Sequence, residues 1–361
     1  VTSGILPASS GSKLDPNLRM ETATSPRMTK SNVFAFGSEW IGDKLRVAGE
    51  ISYSDSDQSS PTTQGQLDFI NPRSAQPTAD TSTDDNGTPL EFNSSGGFME
   101  WGIAQGLATT PTTADLLDPA NYALDKFEQK NTKSKGEESA LRLDFSYDVS
   151  DDLPYITDIH AGIRWNEAKT TRNYVKATKY IKGWDRPKGD LFADILTTGP
   201  SNFNGADGRT LYISDFLMIN PDLAQNDPQK LVDSINSAIT ENNAATGNSM
   251  SLISEPSDQA TSFFDISEES TALYLQGDFE FELGDVYVAG NAGVRHITTD
   301  INSTGNQNLD GEIVTSNQKS SYSFTLPRFN VMAELTEDLV VRVGIGKDIR
   351  RPSFSDLSTS T

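Results

Sequence analysis

The tightest constraint on this chain is the alternation between Leu326 and Leu357. Leu339, Val341, Val343, Ile345 and Ile349 fall on one side, and Arg342, Gly344, Gly346, Asp348 and Arg350 on the other. Successive side chains of a strand point to opposite faces, so this spacing predicts a strand with one apolar and one polar face. Just before it, Phe329, Val331, Ala333 and Leu335 alternate with Asn330, Met332 and Glu334. Thr336, Glu337 and Asp338 form a polar joint short enough for a hairpin. The second strand is about a dozen residues long, and a tilted strand crosses a bilayer in ~9–11.

Three further hairpins carry the same signature. In the first, Ser31 to Ser54, Phe34, Phe36 and Trp40 share a face, Gly42-Asp43 turns the chain, and Leu45, Val47, Gly49, Ile51 and Tyr53 alternate with Arg46, Ala48, Glu50 and Ser52. The second, Glu137 to about Thr171, sets Leu141, Leu143, Phe145, Tyr147 and Val149 against Arg142, Asp144, Ser146 and Asp148. Its return strand sets Ile159, Ala161, Ile163 and Trp165 against His160, Gly162 and Arg164. The third, Glu268 to Thr299, sets Leu273, Leu275, Phe279, Phe281 and Leu283 against Tyr274, Gln276, Asp278, Glu280 and Glu282, then returns through Val286, Val288, Ala292 and Val294 opposite Asn291, Gly293 and Arg295.

The second and third hairpins repeat one unit. Glu137-Glu138-Ser139 precedes Ala161-Gly162-Ile163-Arg164 by the interval that separates Glu268-Glu269-Ser270 from Ala292-Gly293-Val294-Arg295. Repeated hairpins are the unit of an up-and-down barrel. The joints alternate between short (42–43, 150–152, 284–285, 336–338) and long (55–122, 176–262, 302–318), the asymmetry of periplasmic turns and extracellular loops. The alternation slips phase between Leu326 and Phe329, which predicts a bulge at Pro327-Arg328.

Composition narrows the class. The net charge of −22 excludes an extended basic surface for nucleic acid, and the absence of cysteine excludes disulfides and thiol chemistry. No window reaches about 18 consecutive apolar residues, so no transmembrane helix is expected, whereas a barrel's lipid face takes only every second residue. Val1-Thr2-Ser3-Gly4 shows no signal peptide. The chain therefore reads as an internal piece of a longer protein.

Within the long joints, residues 1–30 read as irregular, and Leu67 to Ile70 and Phe98 to Ile103 as short strand candidates. Asp115 to Tyr122 suits a single helical turn. Asp227 and Pro228 open a helix to about Thr240, with Leu231, Val232, Ile235, Ala238 and Ile239 as a stripe packed on the rest of the loop. Trp101, Tyr122 and Trp184 lie in the long joints. They are ligand-stacking candidates, with burial inside the loop as the alternative. Trp40 and Trp165 suit interfacial positions.

On the polar faces, Arg142, Asp144, Arg164, Asp278, Glu280, Arg295, Arg342, Asp348 and Arg350 are expected to line a lumen. Their roles there are contact with substrate or a plug, or cross-strand ion pairing. Asp278, Glu280 and Glu282 form a carboxylate run, but there are only two histidines, His160 and His296, and no hydrolase, P-loop or dinucleotide motif. No enzyme activity and no cofactor are expected. The acidic turns Asp55-Ser56-Asp57 and Asp84-Asp85-Asn86-Gly87 lack the terminal glutamate of a calcium loop.

Leu326, Pro327 and Asn330, followed after the hairpin by Arg351, Pro352, Phe354, Asp356 and Leu357, resemble the late barrel region of TonB-dependent receptors of the bacterial outer membrane. The likeness extends more weakly back to about Ser31. It implies an all-β fold: about nine or ten antiparallel strands of an up-and-down transmembrane barrel with long extracellular loops, spanning residues 1–361. The plug, its energy-coupling box and the closing strand are expected to lie outside this sequence. It also implies TonB-driven uptake of a small nutrient, with outer-membrane lipid and the TonB complex as partners. The acidic, aromatic-bearing loops favour an oligosaccharide, with a ferric siderophore as the alternative. A surface β-protein used for adhesion is the reading from a different class.

Overall fold

A computed structural model describes residues 2–8, 16–78, 86–97, 99–199 and 215–360. In chain order the strands are β1 (Ser3–Leu6), β2 (Arg19–Thr24), β3 (Met28–Ile41), β4 (Leu45–Phe69), β5 (Leu90–Asn93), β6 (Glu100–Ile103), β7 (Tyr122–Asp148) and β8 (Ile156–Tyr180). They continue with β9 (Leu196–Thr198), β10 (Leu217–Ile219), β11 (Ser257–Asp258), β12 (Phe264–Leu283), β13 (Val286–Leu309), β14 (Glu312–Thr336) and β15 (Leu339–Gly346). The helices are α1 (Thr113–Leu116), α2 (Pro221–Asn226) and α3 (Pro228–Thr246). None is long and apolar enough to cross a membrane.

The chain divides into two units. Unit 1 comprises Val1–Arg27, Ser60–Asn131 and Val175–Ser257, and unit 2 comprises Met28–Ser59, Thr132–Tyr174 and Asp258–Thr361. A ten-stranded sheet runs in the order β15-β14-β13-β12-β8-β7-β4-β2, with β3 also on β4 and β11 on β8. Its strands β4, β7 and β8 contribute residues to both units.

Unit 2 is sheet. All four alternating hairpins are present, and its registers are antiparallel. Cα partners share a face, so the register sorts the side chains. Phe279, Gly290, Val331 and Val343 form one row on the apolar face. Glu280, Ala289, Met332 and Arg342 form the next row on the polar face. On the apolar face Phe279 stacks on Phe281 and on Phe329, with ring centroids 6.2 and 6.0 Å apart. Leu273, Leu275, Leu283, Val341, Val343 and Ile345 are exposed there.

At three places along the sheet that apolar stripe ends at hydrogen-bonded polar side chains. Beyond Phe34 and Tyr53 stand Asn32 and Asp55, bonded at 2.9 Å. Beyond Trp165 stand Glu167 and its partner Glu269, which accepts the Trp165 indole N–H at 2.8 Å. Beyond Val294 stands His296, bonded to Thr325 at 3.0 Å. From Leu273 to Leu283 the stripe covers roughly 33 Å of strand at ~3.3 Å per residue. With the ~45° tilt of a barrel strand this becomes roughly 23 Å, close to the ~25 Å height of an outer-membrane apolar band.

Unit 1 is a packed body. Asp227 caps α3 by accepting the Lys230 N–H, and Gly247 closes it in the left-handed conformation. Leu231, Val232, Ile235, Ala238 and Ile239 are buried against Leu67, Phe69, Phe127, Phe192, Ile195 and Ile219. The expected stripe packs as read, and the helix runs on to Thr246.

Three expectations are corrected by the strand boundaries. The segments read as loop from 55 and from 176 begin later, because β4 continues to Phe69 and β8 to Tyr180. Residues 1–30 are not irregular throughout, since β2 pairs with the distal part of β4. The joint placed at 302–318 is a two-residue turn, Asp310-Gly311, with both residues at positive φ. These extensions carry polar residues on both faces and are held by ladder hydrogen bonds, so no apolar alternation marks them.

The expected bulge at Pro327-Arg328 is also absent. The β13–β14 register runs without a shift through Val294↔Pro327 and Gly293↔Arg328. The slip in hydrophobic phase has another cause: Tyr322 turns to the polar face, where it packs with Phe264, Ile266, Ile301, Phe354 and Leu357. The register shift in β14 lies instead between Glu334 and Thr336, at the next turn.

Candidate functional site

The polar face of unit 2 gathers most of the residues singled out from the sequence. Gly162, Tyr274, Arg295 and Leu326 are register partners across β8, β12, β13 and β14. The Tyr274 hydroxyl donates to Asp144 at 2.6 Å, and Asp144 also accepts from Arg142. The Arg295 guanidinium lies 5.9 Å from the Tyr274 ring centroid. Arg164, Tyr274, Arg295, Arg328, Lys347 and Asp348 line one cleft on this face. Asp348 lies beyond β15 and accepts from Arg328 at 3.4 Å, while Arg350 stands exposed past it. Arg342 and Glu280 belong to a separate row nearer the turns, where Glu280 accepts the Tyr287 hydroxyl at 2.7 Å.

One arrangement escaped the sequence reading. His160 joins Ser146 and Asp278 across three strands: Ser146 Oγ is 2.7 Å from Nδ1, and Nε2 is 2.9 Å from Asp278 Oδ2. The three residue types are those of a hydrolytic triad. An oxyanion hole needs free backbone N–H groups beside the nucleophile, and Ser146 sits inside a strand whose N–H groups serve the ladder. Asp278 is further occupied by Gln276, at 2.8 Å. The trio ties the polar face together. Its signal in the sequence is only the parity of the three positions.

The three aromatic candidates are all in unit 1 and have different fates. Tyr122 is 0% exposed; its hydroxyl donates to the Leu116 carbonyl at 2.6 Å and accepts the Leu217 N–H at 3.1 Å. Burial pushes this phenol up to about 12. Tyr122 thus has no free ring face and takes the alternative of burial inside the loop. Trp101, on β6 opposite Phe92, is 40% exposed, and Trp184, after Gly183 at φ +111°, is 48% exposed. Asp185, next to Trp184, is held by Asn242 through its carbonyl at 2.9 Å.

Two ion networks hold unit 1. Arg186 is buried and reaches Asp68 at 2.9 Å and Asp125 at 3.0 Å, while Arg19 reaches Asp68 at 2.8 Å. Burial and the neighbouring Asp68 charge push the Asp125 carboxyl up. Glu128, almost fully buried, faces Lys126, Lys130 and Lys176 at 3.4, 3.3 and 3.2 Å and accepts from Thr178 at 2.9 Å. Burial alone would raise its carboxyl, but these donors outweigh it and hold the group at about 2. Among the described residues no group of acidic and histidine side chains is placed to hold a metal ion.

Residues 78–361 match the protein family described as TonB dependent receptor-like, beta-barrel. The chain belongs to that family. No curated protein matches it. Among solved structures it is similar to the outer membrane transporter YddB from Escherichia coli, at 9% identity and a TM-score of 0.27, over 88% of this chain and 33% of that one. The chain therefore spans about a third of the transporter's length.

Proposed function

We propose that this chain is part of the strand-built pore of a bacterial outer-membrane transporter, which takes up a nutrient with energy delivered through TonB and a plug domain. The observation that carries this reading is the exposed apolar stripe of unit 2. On β12 it runs for about one bilayer crossing, and at three places along the sheet it stops at hydrogen-bonded polar side chains. A water-soluble sheet would cover such a stripe, and membership of the receptor family supplies the transport context.

In this reading Arg142, Asp144, Arg164, Asp278, Glu280, Arg295, Arg342, Asp348 and Arg350 face the lumen, and unit 1 belongs to the extracellular loops. The nutrient class that suits exposed indoles is an oligosaccharide, whose sugar faces stack on flat rings. Trp101 and Trp184 would provide those rings, and Tyr122 would hold the loop core behind them.

Uptake of labelled oligosaccharides by cells carrying the complete protein tests both levels. Trp101→Ala with Trp184→Ala should reduce uptake at unchanged surface expression; wild-type transport by that variant would remove the indoles from recognition. A complete protein that is monodisperse without detergent would overturn the membrane reading itself.

A further inference from the structure

We propose that the cleft lined by Arg164, Tyr274, Arg295, Arg328 and Lys347 is a binding site for a small oxyanion, a solute bearing carboxylate or phosphate groups. The site is independent of which nutrient the loops recognise.

In a chain of net charge −22, this one cleft gathers three arginines and a lysine against a single lining carboxylate, Asp348. Asp348 is highly exposed and reaches Arg328 only at 3.4 Å, so solvent screens that pair. Arg164 and Arg295 have no ion-pair partner among the described residues. The nearby Asp144 is already engaged by Arg142 and the Tyr274 hydroxyl. Arg295 is instead steadied against the Tyr274 ring, and Lys347 lies 6.0 Å from the Phe324 ring centroid. Aromatic faces orient a cation without neutralising it.

The backbone also shapes the site. Arg164 and Arg295 occupy the same place in the repeated Ala-Gly-x-Arg unit, and the fold sets their strands on either side of β12. The glycine two positions before each arginine leaves the floor low. A Cβ at Gly162 would stand 2.5 Å from Tyr274 Cε1, and one at Gly293 would stand 3.0 Å from Gln276 Cβ. Two guanidinium forks, held on rigid strands with Tyr274 between them, suit the planar, two-oxygen edge of a carboxylate or phosphate. An uncharged solute would leave both forks unpaired.

The test uses the complete receptor in detergent at low ionic strength. Inorganic phosphate and citrate are titrated calorimetrically, with heat-modifiable mobility as the check on folding. Saturable binding of at least one anion is expected, weakened tenfold or more in Arg164→Gln/Arg295→Gln and changed less than twofold in Lys319→Gln, which lies outside the cleft. Equal binding by the double variant would overturn the proposal. So would a wild-type receptor that binds neither anion, the result expected if a carboxylate of another segment of the same polypeptide fills the cleft. Oligosaccharide uptake, measured separately, stands or falls without reference to these titrations.

Discussion

The ring of Tyr274 lies across Gly162, its register partner on the neighbouring strand, at a distance that leaves no room for a Cβ. This contact lets a residue of β12 reach over β8 and donate to Asp144 on β7 at 2.6 Å. One glycine thus links three strands on the polar face. A methyl group there would also stand 2.7 Å from the Leu143 carbonyl, so the backbone as well as the ring would have to yield. Gly162→Ala should therefore destabilise the folded receptor by about 1–3 kcal/mol, the usual cost of overpacking. Tyr274→Phe keeps the ring and loses only the hydroxyl. Comparing the thermal loss of heat-modifiable mobility in both variants separates the packing effect from the hydrogen bond.

Val343 tests the opposite face. It is 49% exposed in the row Phe279, Gly290, Val331 and Val343, mid-way along the apolar stripe. Val343→Arg should cost about 2–4 kcal/mol in refolding into lipid vesicles if that stripe meets the bilayer midplane. Arg342→Val, one residue away on the polar face, should cost much less. Equal costs would mean that the faces are not segregated as the register indicates.

Glu128 makes a pH-dependent prediction. Its carboxyl is held at about 2 in the folded chain against an ordinary value of 4.5. A depressed folded value means stabilisation that is complete above the unfolded value and is lost as pH falls from about 4.5 towards 2. Hydrogen exchange of the β7 segment around Glu128, compared with Glu128→Gln at each pH, should show protection by the wild type at pH 6. The difference should shrink as pH drops through that window. A difference that grows on acidification would contradict the assignment.

How much of this was legible follows from where the apolar residues lie. The four hairpins could be read because one face is apolar and the other is not, as at Leu339, Val341, Val343 and Ile345. The outer halves of β4, β8 and β13 could not, because runs such as Ser54 to Gln66 are polar on both faces and are held by their ladders. The Asp310-Gly311 turn was written in the sequence as a favourable hairpin dipeptide, and the polar residues around it hid it. The fate of Tyr122 depended on a core assembled from Phe69, Leu217 and other distant residues, which no local pattern reveals. The Ser146–His160–Asp278 trio depended on a register between hairpins, which alternation leaves free.

Arg351 and Glu268 provide the last prediction. Arg351 lies in the segment that follows β15, and it donates to Glu268, whose side chain is 8% exposed on β12. Beyond it, Ser353 and Asp356 cap a tight turn over Phe354–Leu357. Phe354 and Leu357 pack on Phe264, Ile266 and Ile301, and the Leu357 carbonyl accepts from Ser303 at 2.8 Å. The motif residues Arg351, Phe354, Asp356 and Leu357 therefore act together as a strap that fastens the chain after β15 to β12 and β13. Removing Arg351 leaves a nearly buried carboxylate without its cation, which costs ~3–5 kcal/mol for a fully buried pair and less here because Arg351 is partly exposed. Arg351→Ala should raise hydrogen exchange across Phe354–Leu357 while leaving the β14–β15 ladder protected. Adding Glu268→Gln should restore part of the loss, since the unpaired charge is then gone. If Arg351→Ala leaves exchange in the strap unchanged, the apolar contacts of Phe354 and Leu357 alone hold it.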